Sequence, residues 1–426
     1  MDIYKKRRNS LTDKLSNNSV AIIFGSSEKI RNKNMKYKFR QNSNFLYLTG
    51  LNEPNCIALL EKKNNKISYI LFTQKVEKKD IIWNNNILGQ KKIIQYYQPD
   101  YAFSSKEFKE RFRHFIKGKD YFYFISDHIK YYDKYKNYIS NKYEIEKINI
   151  ININNIVHNL RMTKDDEEIK NINKSHSIST LAHNQIVPYI KEGIKEYELE
   201  AIFIKECILN GSSEQSYQPI FASGDNSCIL HYNKNNRRMK KNELILIDAG
   251  CEYNFYSSDV TRTYPINKNF SKEQQALYEI VLFAQKQAIS LCKPGISWND
   301  INNIIINIIS QGLKDLKILA GDINNIIERK QYKNFYMHSP GHWMGLDVHD
   351  VGEYKNEENQ CVHFRENMYI SIEPGIYVNR CNLDVPEKWR GIGIRIEDNL
   401  LITRYSYKVL SNNIPKEILD IENAMR

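Results

Sequence analysis

Four carboxylates and one imidazole in the C-terminal half of this sequence are side chains that could hold two divalent metal ions. They are Asp248, Asp259, His342, Glu373 and Glu397. Three of the acids end short apolar runs that predict strands, and a strand end is a stiff place from which a carboxylate can point into a cleft. A single acid would more often cap a turn or pair with an arginine. The set of five instead predicts a dinuclear metalloenzyme, in which such groups clamp two cations about 3.5–4 Å apart.

The acids follow a weak internal repeat. Residues 245–250 and 370–375 both have the pattern Ile-x-Ile-acid-x-Gly, and each is followed by another predicted strand that carries a second acid. One strand–acid–strand–acid unit therefore stands in each half of the region. Two such units that face each other would bring all four carboxylates to one centre.

Two domains are predicted to position these residues. Residues 1–160 alternate short apolar strands with helical stretches, which is typical of a smaller α/β domain. Residues 161–426 are predicted to form an α+β domain, with the acids on an antiparallel sheet that helices cover on one side. Thr163 is the predicted cap of its first helix, whose first turn is acidic. The predicted long helices are 164–191, 196–210, 272–292 and 298–314.

Composition narrows the class of protein and its location. A chain of 426 residues can bury large cores in two or three domains. It contains no run of 18 apolar residues and no apolar leader, so we expect no membrane segment. The seven cysteines are scattered and never form a Cys-x-x-Cys pair. This argues against a disulfide framework, a zinc ribbon or secretion, and it favours a cytoplasmic protein.

The formal net charge of +12 raises the possibility of a nucleic-acid partner. The basic residues are spread through the chain together with abundant Asn, Ile and Tyr, which indicates a composition bias. We therefore expect no nucleic-acid partner.

Several motifs of the C-terminal half resemble those of the pita-bread metallopeptidases. They are His231-Tyr232, Asp248-Ala249-Gly250, Ser258 to Thr263, His338 to His342, Gly345 to Asp350, Ile372 to Gly375 and Gly393 to Asp398. The N-terminal segments Phe39–Phe45, Leu48–Pro54 and Leu88–Gln90 extend the resemblance to the aminopeptidase P group. Methionine aminopeptidases lack this N-terminal domain, and creatinases lack the metal ligands. Prolidases keep the ligands, so the N-terminal segments are what favour aminopeptidase P.

The resemblance implies a role for each of the five residues. Asp248 would chelate one metal ion, Asp259 and Glu397 would bridge both, and His342 and Glu373 would complete the second. Glu373 would also be the general base. An oxygen-rich set with one imidazole and no thiolate favours Mn²⁺, with Mg²⁺, Co²⁺ or Zn²⁺ as possible substitutes. The expected cofactor is therefore two divalent ions, Mn²⁺ first among them.

Further residues take roles from the same resemblance. His231 and His349 would bind the substrate and stabilise the oxyanion that develops on it. His338 would line the pocket of the proline ring. Arg395 is expected to pair with a metal-binding carboxylate because it lies two residues before Glu397 on the same strand face. Tyr377 is expected to hydrogen-bond beside it.

Trp83 has two competing interpretations. Composition alone favours a tryptophan buried in a domain core. The aminopeptidase P resemblance instead implies that Trp83 closes the active site of a neighbouring subunit in a homotetramer, where an aromatic face suits a proline-containing peptide.

The expected reaction is metal-dependent removal of the N-terminal residue from peptides whose second residue is proline. Two alternatives remain open. One is a prolidase-type enzyme restricted to Xaa-Pro dipeptides, and the other is a metal-free binding module on the same fold.

Overall fold

The computed structural model describes residues 3–76, 87–125 and 148–426. Its chain divides into two compact units, Met1–Arg161 and Met162–Arg426. The sequence predicts this division between residues 160 and 161. Each unit has a hydrophobic core of its own.

The N-terminal unit contains a six-stranded mixed sheet. The described strands of the whole unit are β1 (Ser19–Phe24), β2 (Ile30–Asn32), β3 (Met35–Lys36), β4 (Ile57–Lys63), β5 (Lys66–Thr73), β6 (Tyr101–Ser104), β7 (Tyr121–Ile125) and β8 (Asn149–Asn152). Strands β2 and β3 pair with each other outside the six-stranded sheet. The sheet has the order β6-β5-β4-β1-β7-β8. Strand β1 is antiparallel to β4 and parallel to β7. The central strands are apolar because both of their faces are covered.

Phenylalanines link this sheet to its helices. The described helices of the unit are α1 (Ile3–Thr12), α2 (Ser43–Thr49), α3 (Gly89–Tyr97), α4 (Phe108–Ile116) and α5 (Asn154–Met162). Phe108 and Phe112, one turn apart on α4, are both buried. Their rings pack edge-on against Phe72, at 5.1 Å between centroids, and Phe122, at 5.8 Å. The expected smaller α/β domain is confirmed.

The helices predicted for the C-terminal unit all form. The described helices of this unit are α6 (Asp166–Ile186), α7 (Glu196–Leu209), α8 (Lys272–Leu291), α9 (Trp298–Asp315), α10 (Ile323–Glu328) and α11 (Ile418–Ala424). Helix α6 ends earlier than the predicted residue 191. Pro188 lies just beyond its end, in a short 3₁₀ turn, and proline cannot donate the backbone hydrogen bond that would continue an α-helix.

The residue that caps α6 differs from the predicted one. Asp165 occupies the N-cap, and its side chain accepts hydrogen bonds from the backbone of Glu167 and Glu168. The prediction that Thr163 caps this helix is therefore wrong. Thr163 lies two residues further upstream, where it forms an isolated antiparallel bridge with Met368. A carboxylate at the N-cap also interacts favourably with the positive end of the helix dipole.

The strands of the C-terminal unit pair in an antiparallel manner, in several small sheets. They are β9 (Glu214–Gln215), β10 (Ile220–Ser223), β11 (Leu244–Asp248), β12 (Cys251–Tyr253), β13 (Tyr256–Ser257), β14 (Thr261–Pro265), β15 (Tyr369–Ile372), β16 (Gly375–Val378), β17 (Ile392–Arg395), β18 (Asp398–Ile402) and β19 (Tyr407–Val409). The sheets have the orders β10-β11-β14, β13-β12-β9, β15-β18-β19 and β16-β17. The single antiparallel sheet that we expected is therefore divided.

Side-chain contacts explain the division between β14 and β17. The hydroxyl of Thr263 donates to the carbonyl of Arg395 at 3.0 Å and accepts from its backbone N–H at 3.3 Å. Here a side chain takes the place of a backbone ladder. Beside this contact, the backbone N–H of Glu397 donates to Thr261 O at 3.0 Å.

The two halves pair their strands in the same way. Strand β11 pairs with β14, so that Asp248 lies opposite Thr261. Strand β15 pairs with β18, so that Ile372 lies opposite Asp398. In each half, one acid stands at the end of the first strand and the second acid lies just before the partner strand. This arrangement corresponds to the strand–acid–strand–acid unit seen in the sequence.

Helices α6, α8 and α9 contribute much of the core of the C-terminal unit. Their apolar faces pack with the strands that carry the acids. Within the described residues, no helix has the length and apolar character needed to cross a lipid bilayer.

Candidate metal centre

Strand ends and turns deliver the five predicted residues to one cavity. All five line a cavity of about 510 Å³. Asp248 is the last residue of β11, Glu373 follows β15, and Glu397 lies between β17 and β18. Atoms of Asp259, His342 and Glu397 that could bind a metal lie within 4.8 Å of one another. The structure therefore brings together the residues that are almost 150 positions apart in the chain.

The imidazole of His342 faces two of the carboxylates. Its Nε2 lies 3.4 Å from Asp259 Oδ2 and 3.8 Å from Glu373 Oε1. Its other ring nitrogen, Nδ1, lies 3.1 Å from the carbonyl oxygen of Trp343. A carbonyl can only accept a hydrogen bond, so Nδ1 carries a proton and Nε2 is the nitrogen available to a metal ion.

The backbone around His342 is held by close contacts with β15. Ser371 N donates to His342 O at 3.0 Å, and Glu373 N donates to Pro340 O at 2.9 Å. Gly341 lies so close to this strand that a Cβ there would be 2.0 Å from Ser371 O. A glycine at 341 is therefore required for His342 and Glu373 to approach each other.

Burial makes the cavity unfavourable for several negative charges. It raises the pKa of Glu373 to about 7, against the attraction of His342 and Arg395. Burial and the neighbouring carboxylates also raise the pKa of Glu397 well above its ordinary value. Burial acts in the same direction on Asp259, but the hydrogen bond and positive charge of His342, together with hydrogen bonds to Tyr217 and Glu397, outweigh burial and lower the pKa of Asp259. Uncompensated negative charge of this kind favours a bound cation.

One carboxylate oxygen shows directly that the residues fit a metal ion. Glu397 Oε2 accepts from the hydroxyl of Thr261 at 2.9 Å. Glu397 Oε1 is buried and has no hydrogen-bond partner among the described residues. A buried polar oxygen without a partner is costly. A divalent cation between Glu397, Asp259 and His342 would supply the missing interaction.

Arg395 pairs with one of the candidate metal-binding carboxylates. It is buried, and its Nη2 donates to Asp248 Oδ2 at 2.5 Å. Its Nη1 donates to the hydroxyl of Tyr377 at 2.9 Å. Arg395 lines the cavity, whereas Tyr377 is 1 % exposed and does not line it. Tyr377 is connected to the cavity through its hydrogen bonds with Arg395 and His338, which both line it.

His338 is held in a single tautomer by two contacts. Its Nε2 lies 2.8 Å from the hydroxyl of Tyr377, and its Nδ1 lies 2.8 Å from Ser339 O. The Tyr377 hydroxyl already accepts from Arg395, so its proton goes to His338 Nε2, and Nδ1–H donates to the carbonyl. Burial lowers the pKa of His338 to about 4. His338 is therefore a neutral, rigid part of the cavity wall.

His231 and His349 also line the cavity. The ring of His349 packs edge-on against that of His342, at 4.4 Å between centroids. Burial lowers the pKa of His349. Trp83, the remaining predicted site residue, lies outside the described residues.

Tyr217 is a site residue that the sequence motifs do not indicate. Its hydroxyl donates to Asp248 Oδ1 at 2.5 Å and is also hydrogen-bonded to Asp259 Oδ1. It therefore links the two acids of the first half. Nothing in the sequence around position 217 distinguishes this tyrosine from the other tyrosines. Only the fold brings it between two carboxylates.

Two family models match the chain. The model described as metallopeptidase family M24 matches residues 170–404, and the model described as aminopeptidase P, N-terminal domain, matches residues 4–123. The first match contains all five residues of the candidate centre.

Individual relatives are similar over nearly the whole length. The Xaa-Pro aminopeptidase of Haemophilus influenzae is 38% identical over 422 residues, covering 99% of this chain and 96% of that protein. The structure of an aminopeptidase from Pseudomonas aeruginosa superposes with a TM-score of 0.94 at 36% identity, covering 99% of this chain and 97% of the other. A zinc-substituted aminopeptidase P from E. coli in complex with product has a TM-score of 0.94, 33% identity and the same coverage.

Proposed function

The chain belongs to metallopeptidase family M24, and from this premise we propose that it is a Xaa-Pro aminopeptidase, which releases the N-terminal residue of peptides whose second residue is proline. The chain is a metal-dependent peptidase, with an N-terminal domain of the aminopeptidase P type. One observation carries the proposal. Asp259, His342 and Glu397 converge within 4.8 Å in the cavity. One carboxylate oxygen of Glu397, Oε1, is buried there and lacks a partner among the described residues.

The ligand set that we propose holds two ions. Asp248, Asp259, His342, Glu373 and Glu397 would hold these ions, because all five line the same cavity. Mn²⁺ is the proposed ion, because the donors are carboxylate oxygens and one imidazole with no thiolate among them. When bound, the metal pair supplies Lewis-acid activation of water and of the scissile carbonyl.

The protein's own side chains would move the proton and stabilise charge. Glu373 faces the cavity 3.8 Å from His342, and its carboxylate would accept a proton from water and return it to the leaving amine. His231 and His349 line the same cavity and would donate to the oxyanion as it develops.

A rigid pocket wall would recognise proline. The bond before proline is a tertiary amide without an N–H, and the ring restricts the backbone, so a dedicated surface is needed. His338 is fixed by Tyr377 and Ser339, and its ring packs edge-on against Tyr336 at 5.1 Å between centroids. A neutral ring held in this way offers an apolar face to proline.

Location and assembly are part of the same proposal. We propose a cytoplasmic homotetramer in which Trp83 of one subunit closes the site of another. The support is the resemblance of the N-terminal segments and the scattered cysteines of the sequence. Light scattering should give four chains per particle, and Trp83→Ala should raise KM with metal content and Tm nearly unchanged. A fully active monomer, or a variant that melts far lower than the wild type, would contradict this.

The proposed function is tested with three synthetic peptides. Arg-Pro-Pro, Arg-Pro and Arg-Ala-Pro are incubated with metal-free protein and with protein reconstituted with Mn²⁺. We expect release of arginine from Arg-Pro-Pro with Mn²⁺ only, and little release from Arg-Ala-Pro. Cleavage of Arg-Pro alone would identify a prolidase-type dipeptidase. A protein that binds Mn²⁺ and cleaves none of the peptides would refute the proposal.

A further inference from the structure

A buried ion network begins at the residue that follows Glu397. Its charged members are Arg262 of β14, Asp398 of β18 and Lys416, which lies after β19. The side chains of Arg262 and Asp398 are both 0% exposed, and that of Lys416 is 20% exposed. Taking charges out of water in this way is costly unless they are well paired. The groups that these charged side chains bind therefore show which part of the backbone the network holds in place.

The carboxylate of Asp398 is saturated with donors. An ionised carboxylate has about four acceptor positions, and here four donors at 2.5–2.7 Å occupy them. The donors are Arg262 Nη2, Gln285 Nε2, Ser411 Oγ and Lys416 Nζ. The adjacent Glu397 is the opposite case, because one of its oxygens has no partner among the described residues. Asp398, held by these four hydrogen bonds, therefore anchors the backbone next to Glu397, whose side chain faces the candidate metal site.

Arg262 extends this anchor to both halves of the centre. Its Nη1 donates to Thr261 O at 3.0 Å and to Glu397 O at 2.5 Å. Its Nη2 reaches Ser411 O at 3.4 Å and Ile414 O at 3.1 Å. One guanidinium therefore joins a strand of the first half, the backbone of Glu397 and the segment 411–416.

We infer that segment 411–416 is a positioning segment for Glu397. Through Asp398 and Arg262 it fixes the backbone of Glu397, so that Oε1 stays directed toward the group formed with Asp259 and His342. The segment lies beyond residue 404, where the match to the M24 family model ends. The inference rests on the proposed metal-binding role of Glu397 and adds residues that are remote from the cavity.

Lys416→Met is the variant that tests the inference with the least damage to the fold. The network contains two cations and one anion, so removal of Lys416 leaves the neutral pair of Arg262 and Asp398. Removal of Asp398 would leave two cations without a counter-charge, and removal of Arg262 would leave the carbonyls of Thr261, Glu397 and Ile414 without this donor. Loss of an outer partner of a ligand commonly weakens metal binding by 10–100-fold. We expect Lys416→Met to weaken Mn²⁺ binding by about tenfold, at the lower end of this range.

The ion pair formed by Glu417, the residue that follows Lys416, provides a matched control. Glu417 pairs with Lys286 of α8 at 2.7 Å, and the two side chains are 44% and 46% exposed. An exposed ion pair contributes little to stability, so Lys286→Met should leave Mn²⁺ affinity unchanged. Lys416→Arg keeps a donor for Asp398 and should restore most of the affinity. Ser411→Ala removes another donor to Asp398 and should weaken binding in the same direction.

The measurement is calorimetric titration of metal-free protein with Mn²⁺, at a temperature well below the Tm of each variant. The inference is supported if Lys416→Met and Ser411→Ala bind more weakly while Lys286→Met binds as the wild type does. Wild-type affinity in Lys416→Met, equal loss in Lys286→Met, or no recovery in Lys416→Arg would overturn it. Failure of Xaa-Pro cleavage with these affinity differences intact would refute the proposed function alone.

Discussion

Glu373 carries two proposed roles, metal ligand and proton acceptor. The substitution Glu373→Gln keeps the shape of the side chain and removes its charge and basicity. We expect kcat to fall by on the order of 10³-fold or more, because both roles are lost together. The measurement is kcat for Arg-Pro-Pro with saturating Mn²⁺. Glu366→Gln, at an exposed glutamate just before β15, is the control and should be fully active. A Glu373→Gln enzyme with near-wild-type kcat would exclude these roles.

His231 and His349 are predicted to act on the transition state and not on the metal. His231→Ala or His349→Ala should lower kcat by on the order of 10²–10³, the effect of losing an oxyanion donor. Metal content, measured by elemental analysis, should remain at the wild-type level. The exposed His363 provides a control substitution, His363→Ala. If both variants kept normal kcat, the roles would have been assigned to the wrong residues.

Tyr217 is expected to matter most when the site contains no metal. Its hydroxyl then serves two neighbouring carboxylates, those of Asp248 and Asp259. Tyr217→Phe should lower the free energy of unfolding of metal-free protein by about 1.5–3 kcal/mol, the usual contribution of a hydrogen bond to a charged group. Tyr264→Phe is a matched control, because the buried Tyr264 hydroxyl has no partner among the described residues. Urea denaturation measures both. An equal effect of the two substitutions would contradict the prediction.

Helix α6 places a neutral histidine against a strand end. His183 Nε2 lies 2.9 Å from Ala249 O, and its ring packs edge-on against Phe203 at 5.2 Å. Burial lowers the pKa of His183 from 6.5 to about 4. The unfolded chain therefore takes up a proton below pH 6.5 that the folded chain refuses until about pH 4. Stability from this group is present above pH 6.5 and is lost as the pH falls toward 4.

The variant His183→Gln isolates this contribution. Glutamine keeps a donor for the carbonyl of Ala249 but does not titrate. Between pH 7 and pH 5 the wild type should lose about 2 kcal/mol of unfolding free energy through His183, and the variant should be spared that loss. Urea denaturation of metal-free protein at the two pH values measures the difference. Equal pH dependence in the wild type and the variant would show that His183 is not the group responsible.

At the scale of the whole molecule, metal binding should stabilise the folded protein. An ion that binds the folded chain and not the unfolded chain raises stability by about 2.7 kcal/mol at 100 times its Kd. We expect Mn²⁺ to raise Tm by several degrees, a chelator to abolish activity, and elemental analysis to find two ions per chain. Less than one ion per chain after reconstitution would contradict the dinuclear assignment.

The whole architecture also shows where local sequence signals were sufficient. Serine at 271 and 297 caps α8 and α9, each with a polar residue three positions into the helix, and these helices form where they were predicted. The signal at α6 was misread because two residues near its start, Thr163 and Asp165, both have side chains that can cap. In the structure Asp165 forms a capping box with Glu168, while Thr163 forms a bridge with Met368, a residue about 200 positions away that no local pattern reveals.

The sequence by itself determined which side chains could bind metal, because residue type and position at a strand end are local properties. Asp248, Glu373 and Glu397 end apolar runs and were identifiable in this way, whereas Asp259 and His342 were indicated by the set of five and by the family motifs. Only the tertiary structure decided what holds them. Tyr217 meets two acids, Asn399 accepts from the backbone of Asp259 at 2.8 Å, and Lys416 reaches Asp398. These contacts depend on strand register and on the path of the chain after β19, and both are set by packing between residues far apart in the sequence.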